Sequence, residues 1–222
     1  MEKIVVFDLD GTIIDTEQIY KKIFFEFLAK DNFSISDEEY EPFPGSDIRK
    51  LHKFIADKYE GFYPKFDDFS QAYKSYKLNS NINYKENIAE NAVECIEQLH
   101  QMGYKLAIAS SSQLYHIEEV LNQLELHDFF EIKVSGHDFE ESKPNPEIYE
   151  YTCSLLGAAP EDCWAIEDSV PGIAAAKAAG MMVIARKDEH FGLDQSAADF
   201  LIEDMLDIIG IIENEMEEDL EY

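Results

Sequence analysis

Six short apolar runs recur along the chain and predict the strands of a buried sheet. The runs are residues 3–9, 105–110, 132–135, 163–166, 181–185 and 200–202. They are rich in β-branched residues and do not alternate with polar ones, which is typical of strands buried on both faces of a parallel sheet. Segments with helical periodicity separate most of them. The pattern therefore predicts a doubly wound α/β sheet.

Helix ends are visible between several of these strands. Apolar residues at 88–102 fall on one face of a predicted helix, and Gly103 follows as its C-terminal cap. After Glu167 and Asp168, a serine, an early proline and an alanine-rich run to Gly180 predict a capped helix. The two acids are thereby predicted at the C-terminal end of a strand, the edge of an open α/β sheet where ligands bind.

The segment 14–83 contains no run typical of a buried strand and is predicted to be a helical insert. Thr16 is a candidate cap for a helix with an apolar face of isoleucine, phenylalanine and leucine. Aromatic-rich helical stretches follow around 49–59 and 66–77. We therefore predict two domains, the insert and a core that contains the remainder of the chain.

The predicted core comprises residues 1–13 and 84–222. Residues 14–80 hold ten basic residues against 13 acidic ones, so about −26 of the total charge of −29 falls outside them. An anionic ligand would therefore find more positive charge in the insert. The segment 213–222 contains six acids and no base, which predicts a frayed terminus.

The acidic composition bears on partners and on location. Forty-seven acidic residues against 18 basic ones repel nucleic-acid phosphates and anionic membrane surfaces. The N-terminal apolar stretch is interrupted at Asp8 and Asp10, so it is too short for a signal peptide or a membrane span. We expect a cytoplasmic protein that binds neither nucleic acid nor membrane, and the charge favours a monomer.

Two acidic pairs are predicted at two strand ends. Asp8 and Asp10, two residues apart, point to the same face, and Gly11 lets the backbone turn sharply around a ligand. Such a pair is commonly stabilised by a hard cation, and oxygen ligands favour magnesium. Glu167 and Asp168 would complete the ligand set. For either pair taken alone, a solvated turn is an equal alternative.

A serine run and one lysine are candidates for binding phosphate. Ser110, Ser111 and Ser112 follow an apolar strand and offer hydroxyl and backbone donors. Lys143 precedes a Pro-Asn-Pro segment, whose prolines restrict the backbone. Taken alone, the serine run is usually a turn and the lysine a solvated charge.

These residues together resemble a known family. Four segments occur in the order of the four motifs of haloacid dehalogenase-type phosphatases and phosphomutases: Asp8-Leu9-Asp10-Gly11-Thr12, Ser110 after an apolar strand, Lys143-Pro144, and Glu167-Asp168. The resemblance covers essentially the whole chain, because the insert lies where that family has its helical cap. It is strongest to the branch that contains β-phosphoglucomutase and sugar-phosphate phosphatases, and it implies a Rossmann-like core with an inserted α-helical cap domain.

The resemblance also implies a role for each candidate. Asp8 would attack the substrate phosphorus and form an aspartyl-phosphate, while Asp10 would act as general acid and then general base. Lys143, Ser110 and Ser111 would bind the phosphate oxygens, and Lys143 would also offset negative charge during transfer. The cofactor would be Mg²⁺, with four acidic ligands: Asp8, Asp10, Asp168 and, directly or through water, Glu167. Asp10 would also be able to bind the metal through its backbone carbonyl.

The resemblance implies that the cap determines substrate specificity. Tyr20, Arg49 and Lys77 are candidate substrate contacts, with surface charges and a core tyrosine as the alternative. Gly45 corresponds to a glycine of the family's cap loop. The family's usual Pro-Gly before the helix that returns to the core is replaced here by Glu90-Asn91.

Three functions remain open on the sequence alone. The first is a phosphatase that acts on a small phosphorylated metabolite such as a sugar phosphate. The second is a β-phosphoglucomutase-like phosphomutase, which ranks lower because Tyr20 stands where that enzyme has a histidine that helps select a sugar hydroxyl as acceptor. The third, a non-catalytic protein that binds a phosphorylated metabolite, is disfavoured because the nucleophile and the metal carboxylates are all present. Asp10 also argues against a haloalkanoic acid dehalogenase.

Overall fold

The structure, a computed structural model, describes residues 3–43, 48–188 and 192–218. These residues form two compact units, of which the second is Thr16–Ile82 and the first contains the described residues on either side. The predicted insert, 14–83, differs from the second unit by two residues at its start and one at its end. Ile14 belongs with the first unit, where it forms β-bridges with Asp10 and Ile88.

The first unit is built on a parallel sheet of six strands. In chain order the strands are β1 (Ile4–Phe7), β2 (Lys105–Ser110), β3 (Phe130–Ser135), β4 (Trp164–Glu167), β5 (Met182–Arg186) and β6 (Phe200–Ile202). Their order across the sheet is β3-β2-β1-β4-β5-β6, and every pair is parallel. The predicted α/β fold class is confirmed. The prediction ended the fourth strand one residue early, since Glu167 is the last residue of β4.

The described residues contain nine α-helices and several short 3₁₀ turns. The helices are α1 (Thr16–Lys30), α2 (Asp37–Tyr40), α3 (Ile48–Lys58), α4 (Phe66–Asn79), α5 (Ala92–Gln101), α6 (Leu114–Gln123), α7 (Glu147–Leu156), α8 (Val170–Ala179) and α9 (Asp207–Glu218). The last five belong to the first unit. Apolar side chains of α7 and α8 share one buried cluster with alternate residues of the central strands.

Helix α5 begins later than the sequence predicted. Its first residue is Ala92, because Asn91 adopts a left-handed backbone conformation with φ 57°. Asn91 thus occupies, in the position where the resembled family has glycine, a conformation that asparagine tolerates better than most residues. Its side-chain amide donates a hydrogen bond of 2.8 Å to Asp204. Ile88 lies outside the helix, in the bridge to Ile14.

The acidic C-terminal segment differs from the prediction of a frayed terminus. Helix α9 continues through Glu218, so residues 213–218 are helical. Apolar contacts account for this, since Ile208 and Ile212 are fully buried and the Tyr104 hydroxyl lies 3.3 Å from the Met216 sulfur. The two isoleucines precede the acidic segment, and Met216 is the single apolar residue within 213–218. Residues 219–222 lie outside the described part of the chain.

The second unit has an aromatic core of its own. Helices α1, α3 and α4 each bury apolar residues, and the rings of Phe24, Phe27 and Phe69 lie 6.0–6.4 Å apart. The three predicted helical stretches of the insert are therefore present. Thr16 is the first residue of α1, where the sequence had suggested a preceding cap. Gly45 lies outside the described residues.

Candidate active site

Asp8 follows directly after β1 and lies against the neighbouring strand. Its backbone N–H donates to the carbonyl oxygen of Ile166 in β4, at 2.9 Å. Its carboxylate is buried, and Oδ1 lies 2.6 Å from Nζ of Lys143. Strand pairing therefore fixes the backbone of the predicted nucleophile, and an ion pair fixes its side chain.

Lys143 is buried at the centre of the site. Its ammonium group donates to Asp8 and to Oε1 of Glu167, each at 2.6 Å, and to the carbonyl oxygen of Ala109 at 2.9 Å. The Tyr149 hydroxyl lies 3.1 Å away. Burial alone would lower the pKa of Lys143, but the two carboxylates outweigh it and raise this pKa well above its usual value. The group remains a cation, as its predicted role requires.

Glu167 is completely buried, and both of its carboxylate oxygens accept hydrogen bonds. Oε1 accepts from Lys143 and, at 2.6 Å, from the Tyr149 hydroxyl. Oε2 accepts from the backbone N–H groups of Asp168 and Ser169 and from the Ser169 hydroxyl. A buried carboxylate requires such compensation. Gly172, in the first turn of α8, is needed for space, because a β-carbon there would collide with this carboxylate.

Asp168 lies beside the turn that follows Asp10. Its Oδ1 accepts a hydrogen bond of 3.2 Å from the Thr12 hydroxyl, and its backbone carbonyl accepts one of 2.5 Å from Nε2 of Gln195. Gly11, at φ 93°, occupies the left-handed region, and a β-carbon there would collide with the Asp168 carboxylate. The glycine is therefore required by conformation and by space.

The carboxylates of Asp8, Glu167 and Asp168 form what we call the acidic cluster. Ligand oxygens from all three lie within 4.8 Å of one another. Burial raises the pKa of Asp8 well above its usual value, and burial followed by repulsion from Glu167 raises the pKa of Asp168 to about 7. The buried ammonium of Lys143 forms ion pairs with two of these carboxylates, those of Asp8 and Glu167. Oxygen ligands with excess negative charge fit a hard divalent cation.

Asp10 is placed differently from the prediction that all four acids form one metal set. Its carboxylate accepts a hydrogen bond of 2.5 Å from the Ser112 hydroxyl, and Nε2 of His116 lies 3.0 Å from its other oxygen. Among the described residues, the group whose ligand atoms converge contains the other three acids and not Asp10. We call Asp10, Ser112, His116 and Tyr84, which contacts the imidazole, the Asp10 cluster.

The predicted phosphate-binding serines lie next to Lys143. Ser110 is the last residue of β2 and is buried, and its hydroxyl oxygen accepts the backbone N–H of Ser112 at 3.0 Å. Ser111 follows and is exposed. Because Lys143 binds the carbonyl oxygen of Ala109, the lysine reaches the same end of β2.

The three candidate substrate residues of the insert all lie in the second unit. Nζ of Lys77 is 3.3 Å from the centre of the Tyr20 ring, so the structure brings these two together. The Arg49 guanidinium lies 4.6 Å from the centre of the Phe66 ring. Their roles in substrate binding stay predictions.

Sequence reasoning missed four side chains that contact the predicted site. Tyr149 on α7 binds Glu167, and His116 on α6 binds Asp10. Gln195 donates to the backbone of Asp168, and Arg186 donates to the carbonyl oxygen of Gly11 at 2.6 Å. None belongs to a motif that the sequence revealed, because each acts through a contact between distant segments.

Comparisons with known proteins identify the family to which the chain belongs. The family model of haloacid dehalogenase-like hydrolases matches residues 5–186. The "Putative pyrophosphatase PpaX" of Caldanaerobacter subterraneus subsp. tengcongensis is 30% identical over 213 residues, which cover 94% of this chain and 93% of that protein. The phosphoglycolate phosphatase of Aquifex aeolicus is 27% identical over 222 residues, with 97% and 99% coverage.

A solved structure shows the same fold. The crystal structure described as "putative beta-phosphoglucomutase" from Thermotoga maritima matches with a TM-score of 0.77 and 24% identity, over 96% of this chain and 99% of that one. The present chain belongs to the family of haloacid dehalogenase-like hydrolases. It is an enzyme that acts on phosphate esters.

Within the described ranges, no helix is both long and apolar enough to cross a membrane. The cytoplasmic location, the monomeric state and the lack of nucleic-acid and membrane partners stay predictions.

Proposed function

We propose that the enzyme is a magnesium-dependent phosphatase that acts on a small phosphorylated metabolite through an aspartyl-phosphate on Asp8. The observation that carries this proposal is the buried Asp8 carboxylate, held 2.6 Å from the ammonium of Lys143 within the acidic cluster. Phosphoryl transfer depends mainly on positioning and on charge stabilisation. The fixed Asp8 carboxylate would supply the first, and the Lys143 ammonium the second. A sugar phosphate is the substrate class to test first, on the strength of the motif resemblance.

Two displacement steps make up the proposed cycle. In the first, a carboxylate oxygen of Asp8 bonds to phosphorus while the bond to the leaving oxygen breaks, and Asp10 donates a proton to that oxygen. In the second, Asp10 takes a proton from water as the water oxygen bonds to phosphorus and the bond to Asp8 breaks. One difficult displacement becomes two easier ones, and Asp10 returns to its starting state.

Lys143 and Ser110 are the proposed anchors for the phosphate group. The Ser110 oxygen accepts the N–H of Ser112, so its own hydroxyl hydrogen can be donated to a phosphate oxygen. Lys143 would offset the charge of the transferring group, and Ser111 would add a donor at the strand end. Tyr149 would help to hold Lys143 in position, because its hydroxyl contacts both Lys143 and Glu167.

The residues that would hold Mg²⁺ are those of the acidic cluster, together with the backbone carbonyl of Asp10. Glu167 would act directly or through water, since both of its oxygens already accept protein hydrogen bonds. When bound, the ion would offset the like charges of substrate and carboxylates so that they can approach each other.

Phosphate release from a panel of phosphorylated metabolites, with Mg²⁺ and with EDTA, tests the proposal. We expect Mg²⁺-dependent release by the wild type and loss of release in Asp8→Asn. Asp128→Asn is the matched control, because that side chain is fully exposed and should leave the rate unchanged. A wild type that interconverts phosphate isomers with little net release would instead indicate the phosphomutase. The proposal would be contradicted if the metal-loaded wild type neither released phosphate nor interconverted phosphate isomers.

A further inference from the structure

The Asp10 carboxylate is held at both of its oxygens. The Ser112 hydroxyl donates to Oδ2 at 2.5 Å, and Nε2 of His116 lies 3.0 Å from Oδ1. Because a carboxylate accepts, the imidazole must donate from Nε2 in this contact. The two bonds come from opposite ends of one short segment, the loop after β2 and the first turn of α6, and together they restrict rotation of the carboxyl group.

His116 is itself held in place. Its side chain is 12% exposed, and its ring meets the ring of Tyr84 edge to face, with centres 5.6 Å apart. The Tyr84 hydroxyl lies 3.4 Å from Nδ1, a long contact. Burial, followed by the nearby Glu119 carboxylate, raises the pKa of Tyr84, so its hydroxyl keeps the proton.

Packing alone does not explain a histidine at this position. The buried apolar face of α6 consists of Ile117, Val120 and Leu121, and His116 lies beside that face. An apolar side chain of similar size would fill the same space against Tyr84. What it could not supply is the hydrogen bond to Asp10.

We propose that His116 is a positioning residue for Asp10: its Nε2–H group holds Oδ1 and so directs the other oxygen, Oδ2, to exchange a proton with the substrate. The inference rests on the proposed function, in which Asp10 is the general acid and base. It concerns orientation, because a proton-transfer group must lie within hydrogen-bond reach of the atom it serves. A displacement of about 1 Å at such a position can cost about 10²-fold in rate.

The test compares His116→Leu, which removes the donor, with His116→Gln, whose amide nitrogen can replace Nε2. Two phosphate esters separate the roles. An alkyl ester, chosen from those that the wild type hydrolyses, needs a proton on its leaving oxygen. Nitrophenyl phosphate does not, because nitrophenolate leaves without one. Rapid mixing measures nitrophenolate release in the first turnover, and steady-state assays give kcat and KM.

We expect His116→Leu to lower kcat for the alkyl ester about 10- to 100-fold, with KM little changed. First-turnover release of nitrophenolate should stay near the wild-type rate, while later turnovers slow because Asp10 must still activate water. His116→Gln should recover most of kcat. His100→Leu is the matched control: this histidine is exposed on α5 against Phe129, and its loss should leave every rate unchanged.

Three results would overturn the inference while leaving the proposed function intact: wild-type kcat for the alkyl ester in His116→Leu, an equal loss of first-turnover nitrophenolate release, or a glutamine variant no better than leucine. Thermal melting of each variant separates an unfolded protein from a misoriented Asp10. A wild type inactive on both esters would overturn the proposed function, and the inference with it.

Discussion

Asp8 and Asp10 are two residues apart and lie in unlike surroundings. Asp8 is buried among charges, with Lys143 at 2.6 Å and two other carboxylates within reach. Asp10 is held by a hydroxyl and an imidazole, and its side chain is 22% exposed. The two acids therefore differ because of the side chains that other elements place around them, and not because of their own positions in the sequence.

The difference matches the two proposed roles. A nucleophile must be fixed in line with phosphorus, and strand pairing and an ion pair fix Asp8. An acid and base must hold and release a proton near the substrate, and the exposed, hydrogen-bonded Asp10 suits that task.

The largest contrast is expected between Asp8→Asn and Asp10→Asn. Asp8→Asn should lose at least about 10⁴-fold in kcat, because no covalent intermediate can form. Asp10→Asn should lose about 10²- to 10⁴-fold in kcat, yet remain able to accept a phosphoryl group from nitrophenyl phosphate. Intact-protein mass spectrometry after acid quenching should therefore detect a phosphorylated chain in Asp10→Asn and none in Asp8→Asn. The opposite pattern would assign the nucleophile to Asp10.

Lys143→Met should destabilise the fold, because it leaves two buried carboxylates without their cation. We expect a loss of about 3–5 kcal/mol in the free energy of unfolding, measured in urea with EDTA. The matched control is Lys177→Met, which breaks a partly exposed ion pair with Asp199 and should cost about 1 kcal/mol or less. Equal losses in the two variants would show that the acidic cluster does not depend on Lys143 for stability.

Mg²⁺ binding should stabilise the fold through the side chains of the acidic cluster and not through that of Asp10. At a Mg²⁺ concentration 100 times its Kd, the wild type should gain about 2.7 kcal/mol, equivalent to about 5–10 °C in melting temperature. Asp168→Asn should abolish this gain, whereas Asp10→Asn should keep most of it, since the Asp10 backbone carbonyl is unchanged. Calorimetry with and without Mg²⁺ decides the matter. A gain lost in Asp10→Asn would place that side chain among the ligands.

The smallest contrast concerns Tyr149, which binds the acidic cluster through Glu167, and Tyr84 of the Asp10 cluster. Tyr149→Phe removes a 2.6 Å hydrogen bond to the buried Glu167 and should cost about 1–3 kcal/mol. Tyr84→Phe removes a 3.4 Å contact to His116 and should cost less than about 1 kcal/mol. Urea unfolding of both variants measures the difference. A larger loss at Tyr84 would reverse the ranking of the two hydrogen bonds.

Much of the fold could be predicted from the sequence because its signals are local. The runs of β2 and β6 were predicted to the residue. In β2, where five of the six residues are buried, continuous burial requires a nearly continuous series of apolar side chains. The acids at the ends of β1 and β4 follow from the same pattern. The helical conformation of residues 213–218 in α9 was not predicted, because a single apolar residue among many acids does not change the composition.

The partners of the site residues could not be predicted in the same way. His116, Tyr149 and Gln195 reach the site from segments distant in sequence, and a contact of this kind depends on the packing of helices on the sheet. The separation of Asp10 from the other acids was missed for the same reason. The spacing of Asp8 and Asp10 indicated a shared face, whereas the donors that bind the Asp10 carboxylate lie on the loop after β2 and on α6.

The hydrogen bond from the Asp8 amide to Ile166 has a consequence for hydrogen exchange. β1 lies between β2 and β4 and is fully buried, so no edge of the sheet exposes it to solvent. An amide protected in this way exchanges with deuterium when the whole sheet opens, and not through local fraying. The Asp8 amide should therefore be among the slowest of the chain to exchange, and the backbone of the proposed nucleophile should keep its position for as long as the sheet remains folded.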